Sequence, residues 1–259
     1  MSSWQALDEE VARWRAAGRR VDLWWRDDDA IDATQPLDRL IGIHRDSGAA
    51  LALAVVSAGA TQTLARRLAD ETGIDVLQHG YGHFNHAGTG EKKMELGGHR
   101  PAMIVLGEMA TGWLALERVF ASRALAVMVP PWNRIAPALL PSLPEIGFVG
   151  LSAFGPRSRP EPARRLRQVN AHVDLIDWRG ERGFVGEANA LTRLVQSIAW
   201  ARNGPGEHAA EPIGILTHHL AMDEPAWDFL QYLLERVTKA PGIAILPARD
   251  LFASREARA

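Results

Sequence analysis

Short apolar runs of about four to eight residues alternate along this chain with longer stretches whose apolar positions recur every three or four residues, the pattern of an α/β protein. The runs predict strands at Val21 to Trp25, Leu51 to Ser57, Asp75 to Gln78, Ala124 to Val129, Phe148 to Ser152, Val173 to Asp177, Ile213 to Thr217 and Ile243 to Leu246. Most are apolar on both faces, as strands of a covered parallel sheet are. Between them the periodicity predicts helices near Trp4 to Ala17, Pro36 to Ser47, Thr61 to Glu71, His99 to Ser122, Pro137 to Pro144, Asn189 to Arg202 and Pro225 to Thr238. Thr34 ahead of Gln35-Pro36 and Asp223 ahead of Glu224-Pro225 read as helix starts, and Gly48 as a stop. The proline-rich, basic stretch Gly155 to Pro162 reads as a solvated connection, and Ser254 to Ala259 as a frayed polar tail.

With 259 residues, 47% of them hydrophobic and 23% charged, the chain reads as one globular domain spanning 1–259. A formal net charge of −2 argues against nucleic-acid and anionic-membrane partners, which demand concentrated basic surface. The first ten residues lack a basic segment followed by an apolar one, and no later apolar run is long enough for a membrane span, so a cytoplasmic location is expected. Cysteine is absent, which leaves His, Asp, Glu and water as the ligands for any metal. The oligomeric state stays open.

The chemistry-bearing residues gather after predicted strands, the edge where α/β folds collect their functional groups. Asp27-Asp28-Asp29 follows the first strand, and three adjacent carboxylates are unfavourable unless a cation, a proton or water relieves them. His79-Gly80-Tyr81-Gly82-His83 follows the third, its glycines allowing a turn tight enough to aim two imidazoles at one point. Pro130-Pro131-Trp132-Asn133-Arg134, Asp177-Trp178 and His218-His219 follow later strands. Two imidazoles and one carboxylate suit a divalent cation, zinc foremost with cobalt, iron or manganese as alternatives, and leave positions open for water and substrate.

In order and spacing these segments resemble the NodB-like polysaccharide deacetylases, over most of the chain. The recurring pattern of that family is a paired Asp after the first strand, His-x-x-x-His, an Arg-x-Pro-Trp-like segment, an Asp-Trp-like segment and a late Leu-x-His. The resemblance implies a distorted (β/α) barrel of about seven parallel strands. It also implies a metal-dependent deacetylase that hydrolyses an N- or O-acetyl group.

Carried onto this sequence, the resemblance makes Asp27 the general base and Asp28, His79 and His83 the metal ligands, with a one-residue slip giving Asp28 and Asp29 instead. In Leu216-Thr217-His218 it makes His218 the acid that protonates the leaving group, with His219 as runner-up. Asp177 would steer that histidine, in competition with Asp174, and Trp132, Tyr81 and Arg134 would line the substrate site. Backbone N–H groups near Tyr81 or Trp132 would hold the oxyanion. The chain departs from the pattern at Val129, where an arginine orienting the base is expected; Arg134, Arg26 and Arg100 are the candidates to replace it. The glycine-rich, charged loop from His86 to Arg100 is a candidate lid, with Lys92 and Lys93 reaching substrate. Expected substrates are an N-acetylated sugar, a glycan fragment or a small amide. The rival from another class is a degenerate barrel that binds a sugar or metabolite without turnover, motivated by Val129. A non-haem iron oxygenase fits less well, because its carboxylate would stand near a histidine in sequence, within a jelly-roll pattern of strands.

Overall fold

Nine parallel strands form one curled sheet in the computed structural model, which describes residues 3–204 and 211–253. They are β1 (Val21–Ala30), β2 (Leu51–Val55), β3 (Ile74–His79), β4 (Ala124–Val129), β5 (Gly150–Leu151), β6 (Arg167–Gln168), β7 (Ala171–Asp174), β8 (Ile213–Thr217) and β9 (Ile243–Ile245). The spatial order is β6-β5-β4-β3-β2-β1-β8-β7, with β9 paired to the start of β1. A parallel bridge from Phe154 to Ala171 brings the two ends of the series together. This is the expected distorted (β/α) barrel, with two more strands than the seven expected. The tail expected at Ser254 to Ala259 lies outside the described residues.

Helices α1 (Ser3–Ala16), α2 (Gln35–Ser47), α3 (Gln62–Leu68), α4 (Ala102–Phe120), α5 (Glu187–Asn203), α6 (Glu224–Lys239) and α7 (Ala248–Phe252) connect and cover the strands. The anticipated caps are in place: Thr34 accepts from the Leu37 N–H, Asp223 from the Ala226 N–H, and Gly48 ends α2 at φ 71°. The expected helix from Pro137 breaks into short 3-10 turns around Pro141 and Pro144, which cannot donate to a continuing helix. None of the described helices is long and apolar enough to cross a membrane. The stretch expected to be a solvated connection is irregular, yet its Arg157 is buried, donating to the Gln168 carbonyl at 2.6 Å.

Strand β1 anchors the site because it pairs along both edges: β8 on one, β9 and then β2 on the other. Its side chains alternate. Leu23 and Trp25 face the large core under the helices, while Trp24 joins the barrel interior with Ala52, Ala54, Leu77 and Val127. Both tryptophans are fully buried, a contribution on the order of 3 kcal/mol each. Trp24 Nε1 donates to the Asn170 carbonyl at 3.1 Å, and a Cβ at Gly214 would stand 2.6 Å from that nitrogen. Glycine is what lets β8 pass the indole.

Candidate metal centre and active site

The three adjacent aspartates point in three directions. Alternation carries Asp28 into the barrel interior with Arg26 and sends Asp27 to the helix-covered face, where its carboxylate meets Thr217 and His219. Asp29 escapes the alternation. Between Asp27 and Ala30 the pairing slips, three steps on β1 matching two from Leu53 to Val55, and Asp29 takes φ 73°. Such a bulge re-aims a side chain, and aspartate is among the few residues that accept a left-handed backbone. The Asp29 carboxylate thereby turns onto the histidines, Oδ1 lying 3.0 Å from His79 Nε2 and 3.3 Å from His83 Nε2.

These three residues form the one cluster among the described residues with metal-ligating atoms all within 4.8 Å of one another. Ligands about 2.0–2.1 Å from a tetrahedral cation stand roughly 3.3 Å apart, close to the separations here. His79 Nδ1 donates to the Val129 carbonyl at 3.0 Å, which fixes the ring and turns Nε2 toward Asp29, where it could ligate a cation. Burial would lower the His79 pKa, but the Asp28 charge and the Asp29 hydrogen bond outweigh it and raise it. For Asp29, burial acts upward and is overcome by the hydrogen bond and charge of His79, with help from His218 and His83, which hold the carboxyl far below its usual range. Burial and repulsion from His79 lower His83. A cation held here would therefore compete with a proton for the His79 nitrogen. The sequence placed Asp28 in this group, or Asp29 by a one-residue slip; the bulge brings Asp29 to the two histidines.

The histidine loop has its own internal anchor. Gly80 (φ 59°) and His83 (φ 57°) are left-handed, and a Cβ at Gly80 would collide with Glu95 and Pro131. Glu95, almost fully buried, accepts the N–H groups of Tyr81 (3.1 Å), Gly82 (2.8 Å) and Phe84 (3.2 Å). Those N–H groups are thus committed, so the oxyanion role expected near Tyr81 has no free donor at Tyr81 or Gly82. Glu95 was hidden in sequence by its glycine-rich, charged surroundings. Replacing it as Glu95→Gln is expected to lower unfolding free energy in urea by about 2 kcal/mol. A change below about 0.5 kcal/mol would show that the loop does not depend on that charge.

Asp28 is held by Arg26. Nε lies 2.9 Å from Oδ1 and Nη2 donates to Oδ2 at 3.0 Å, with both side chains buried. The guanidinium is fixed in turn by Asn133 Oδ1 (2.7 Å), Ser152 Oγ (2.6 Å) and the Ser152 carbonyl (3.1 Å). Of the three arginines considered in place of Val129, Arg26 reaches the carboxylate. Arg134 donates to the Lys93 carbonyl and Arg100 pairs with Glu108. Asn133 (φ 56°) follows Trp132 (φ 54°), and this left-handed pair places an amide on Arg26 and an indole against His83, ring centres 4.4 Å apart.

His218 faces the interior, its Nδ1 3.8 Å from Asp174 Oδ1 and its ring edge-on to Trp178 at 4.7 Å. Trp178 Nε1 donates to Asp174 Oδ2 at 2.8 Å, while His218 Nδ1 stands near the same carboxylate without a hydrogen bond to it. Burial raises the Asp174 pKa against the opposing charge of His218. Asp177, expected in this role, is exposed and accepts the N–H groups of Arg179 and Gly180 in the following turn. The strand ends at Asp174, three residues before its expected end, so Asp177 lies beyond the ladder. His219, the runner-up acid, packs on the opposite face against Asp27, and burial, which would lower its pKa, is outweighed by that carboxylate, which raises it. Asp27, expected as the base, is turned away from the interior. Tyr81 lies beside the site with its carbonyl accepting from Ala58 N–H and Ser57 Oγ, and Lys93 Nζ stands 5.8 Å from the Trp132 ring centre.

The fold is that of solved carbohydrate esterases and deacetylases. A family 4 carbohydrate esterase from Streptomyces lividans, solved with acetate, is 15% identical, with TM-score 0.56 over 90% of this chain and 97% of that one. A family 4 acetyl xylan esterase from Clostridium thermocellum, solved with a cobalt ion, is 14% identical (TM-score 0.53; 89% and 90% covered). The peptidoglycan deacetylase PdaC from Bacillus subtilis is 14% identical (TM-score 0.55; 93% of each). No family model and no curated protein matches the sequence.

Proposed function

We propose that this chain is a metal-dependent deacetylase acting on an N-acetylated sugar, a glycan fragment or a small amide. The observation that carries the reading is the Asp29 carboxylate lying 3.0 and 3.3 Å from two imidazoles, beside a second, arginine-held carboxylate. Asp29, His79 and His83 would hold the cation, which when bound supplies a Lewis acid for the acyl oxygen and for water. Asp28 takes the proton from the attacking water; its place in the interior beside Arg26 supports that role over Asp27. His218, steered by Asp174, gives a proton to the departing amine or alcohol. Trp132, packed on His83, and Trp178, packed on His218, are the aromatic walls for substrate. Neighbours solved with acetate and with cobalt support both the reaction class and a divalent ion, for which zinc is our choice from the donor set. The guanidinium on Asp28 supports hydrolysis over the binding-only reading that Val129 suggested.

The test is metal content and acetate release together. Purified protein is expected to bind about one zinc or cobalt per chain, through the three residues above, and to release acetate from at least one member of a panel of acetylated amino sugars, chito-oligomers, xylan fragments and small amides. Protein that binds the ion and releases acetate from none of them would favour the binding-only barrel. Protein that binds no ion would remove the site.

A further inference from the structure

The first carboxylate of the run, Asp27, has no part in the cluster with His79 and His83, yet it is heavily hydrogen-bonded. Asp27 is fully buried and accepts three hydrogen bonds: from Thr217 Oγ1 at 2.6 Å, from the His219 N–H at 3.0 Å and from His219 Nδ1 at 2.5 Å. Trp25 Nε1 donates to Thr217 Oγ1 at 2.9 Å, so that hydroxyl is left with its proton for Asp27. The donors belong to the two residues that flank His218. Ladder pairing between β1 and β8 stops at Asp27 with Thr217. Beyond that point the Asp27 side chain takes the His219 N–H in place of a backbone carbonyl.

We propose that Asp27 and His219 are a positioning pair for His218, an inference that rests on the acid role given to His218 above. Clamping residues 217 and 219 from the helix-covered side fixes the backbone between them, and alternation then presents the His218 ring to the interior, where Asp174 and Trp178 receive it. His219 Nε2 is buried with no hydrogen-bond partner among the described residues, so Asp27 is the group that sets this ring's place. The pair is buried and lies outside the cluster of proposed cation ligands; it acts through strand geometry, as groups that orient a reacting side chain do.

The experiment uses metal-loaded protein, with kcat, KM, metal content and the imidazole NMR signals of histidine-labelled samples as readouts. Asp27→Asn is expected to keep its metal and a KM within about twofold of wild type, to lose about 30-fold in kcat, and to shift or broaden the His218 signals while those of His79 and His83 stay in place. His219→Asn, which puts an N–H where Nδ1 stands, is expected to retain at least about a third of kcat, whereas His219→Leu, which keeps the bulk and removes the donor, falls with Asp27→Asn. A role in packing alone would give the reverse order, and that order overturns the inference; so do unchanged His218 signals in Asp27→Asn, or loss of its metal. If Asp27→Asn does not fold, the two His219 variants decide the matter. An inactive wild type is a failure of the deacetylase reading, and the His218 signals then still judge the clamp.

Discussion

Asp29→Ala is expected to lose metal affinity by about 100-fold or more, while Asp28→Asn, one residue away, keeps its metal and loses about 10³-fold in kcat. The contrast follows from geometry. Asp29 stands on the bulge within reach of both imidazoles, whereas Asp28 is drawn back onto Arg26 in the interior. Metal analysis of the two purified variants, followed by single-substrate kinetics, separates the roles. Retention of stoichiometric metal in Asp29→Ala would defeat the ligand assignment. Near-normal turnover in Asp28→Asn would defeat the base assignment while leaving the ligands standing.

Arg26→Ala should be the most destabilising single change near the site, lowering unfolding free energy by about 3–5 kcal/mol because it leaves the Asp28 charge buried without its counter-ion. Arg26→Lys should recover only part of that, since one ammonium cannot serve Asp28, Asn133 and Ser152 together as the planar guanidinium does. The double change Arg26→Met with Asp28→Asn should be milder than Arg26→Ala, because both charges go together. Denaturant titration of the four proteins is the measurement. A loss below about 1 kcal/mol in Arg26→Ala would mean that Asp28 is neutral or hydrated in the folded state.

Periodicity and caps made most of the fold legible in the sequence. The runs at Ala124 to Val129 and Ile213 to Thr217 coincide with β4 and β8, and Thr34, Gly48 and Asp223 act as read. Strands with polar beginnings were not legible in full: Ala171-His172 opens β7 and Arg167-Gln168 is β6, and neither pair has the apolar look that marks a strand. Asp177 came forward on its Asp-Trp match to the family pattern, with Asp174 as its competitor, and the strand that ends at Asp174 brings that carboxylate to His218. At the site, residue types and spacing indicated the carboxylate run and both histidines, but a string of three identical residues carries no mark of which one sits on the bulge. The slip in pairing and the φ of Asp29 are three-dimensional facts. Glu95 and Asn133 were obscure for a similar reason, since their partners are backbone amides and a guanidinium brought close only by folding.

Because β1 is paired along both edges and supplies Arg26, Asp27, Asp28 and Asp29 in succession, the reactive groups ride on the segment with the least freedom to shift. Adaptation to a new acyl donor then falls to the largely exposed stretch at 84–93, which begins after His83 and ends before Glu95. A library confined to that stretch would vary what enters the mouth and leave the chemistry beneath it alone.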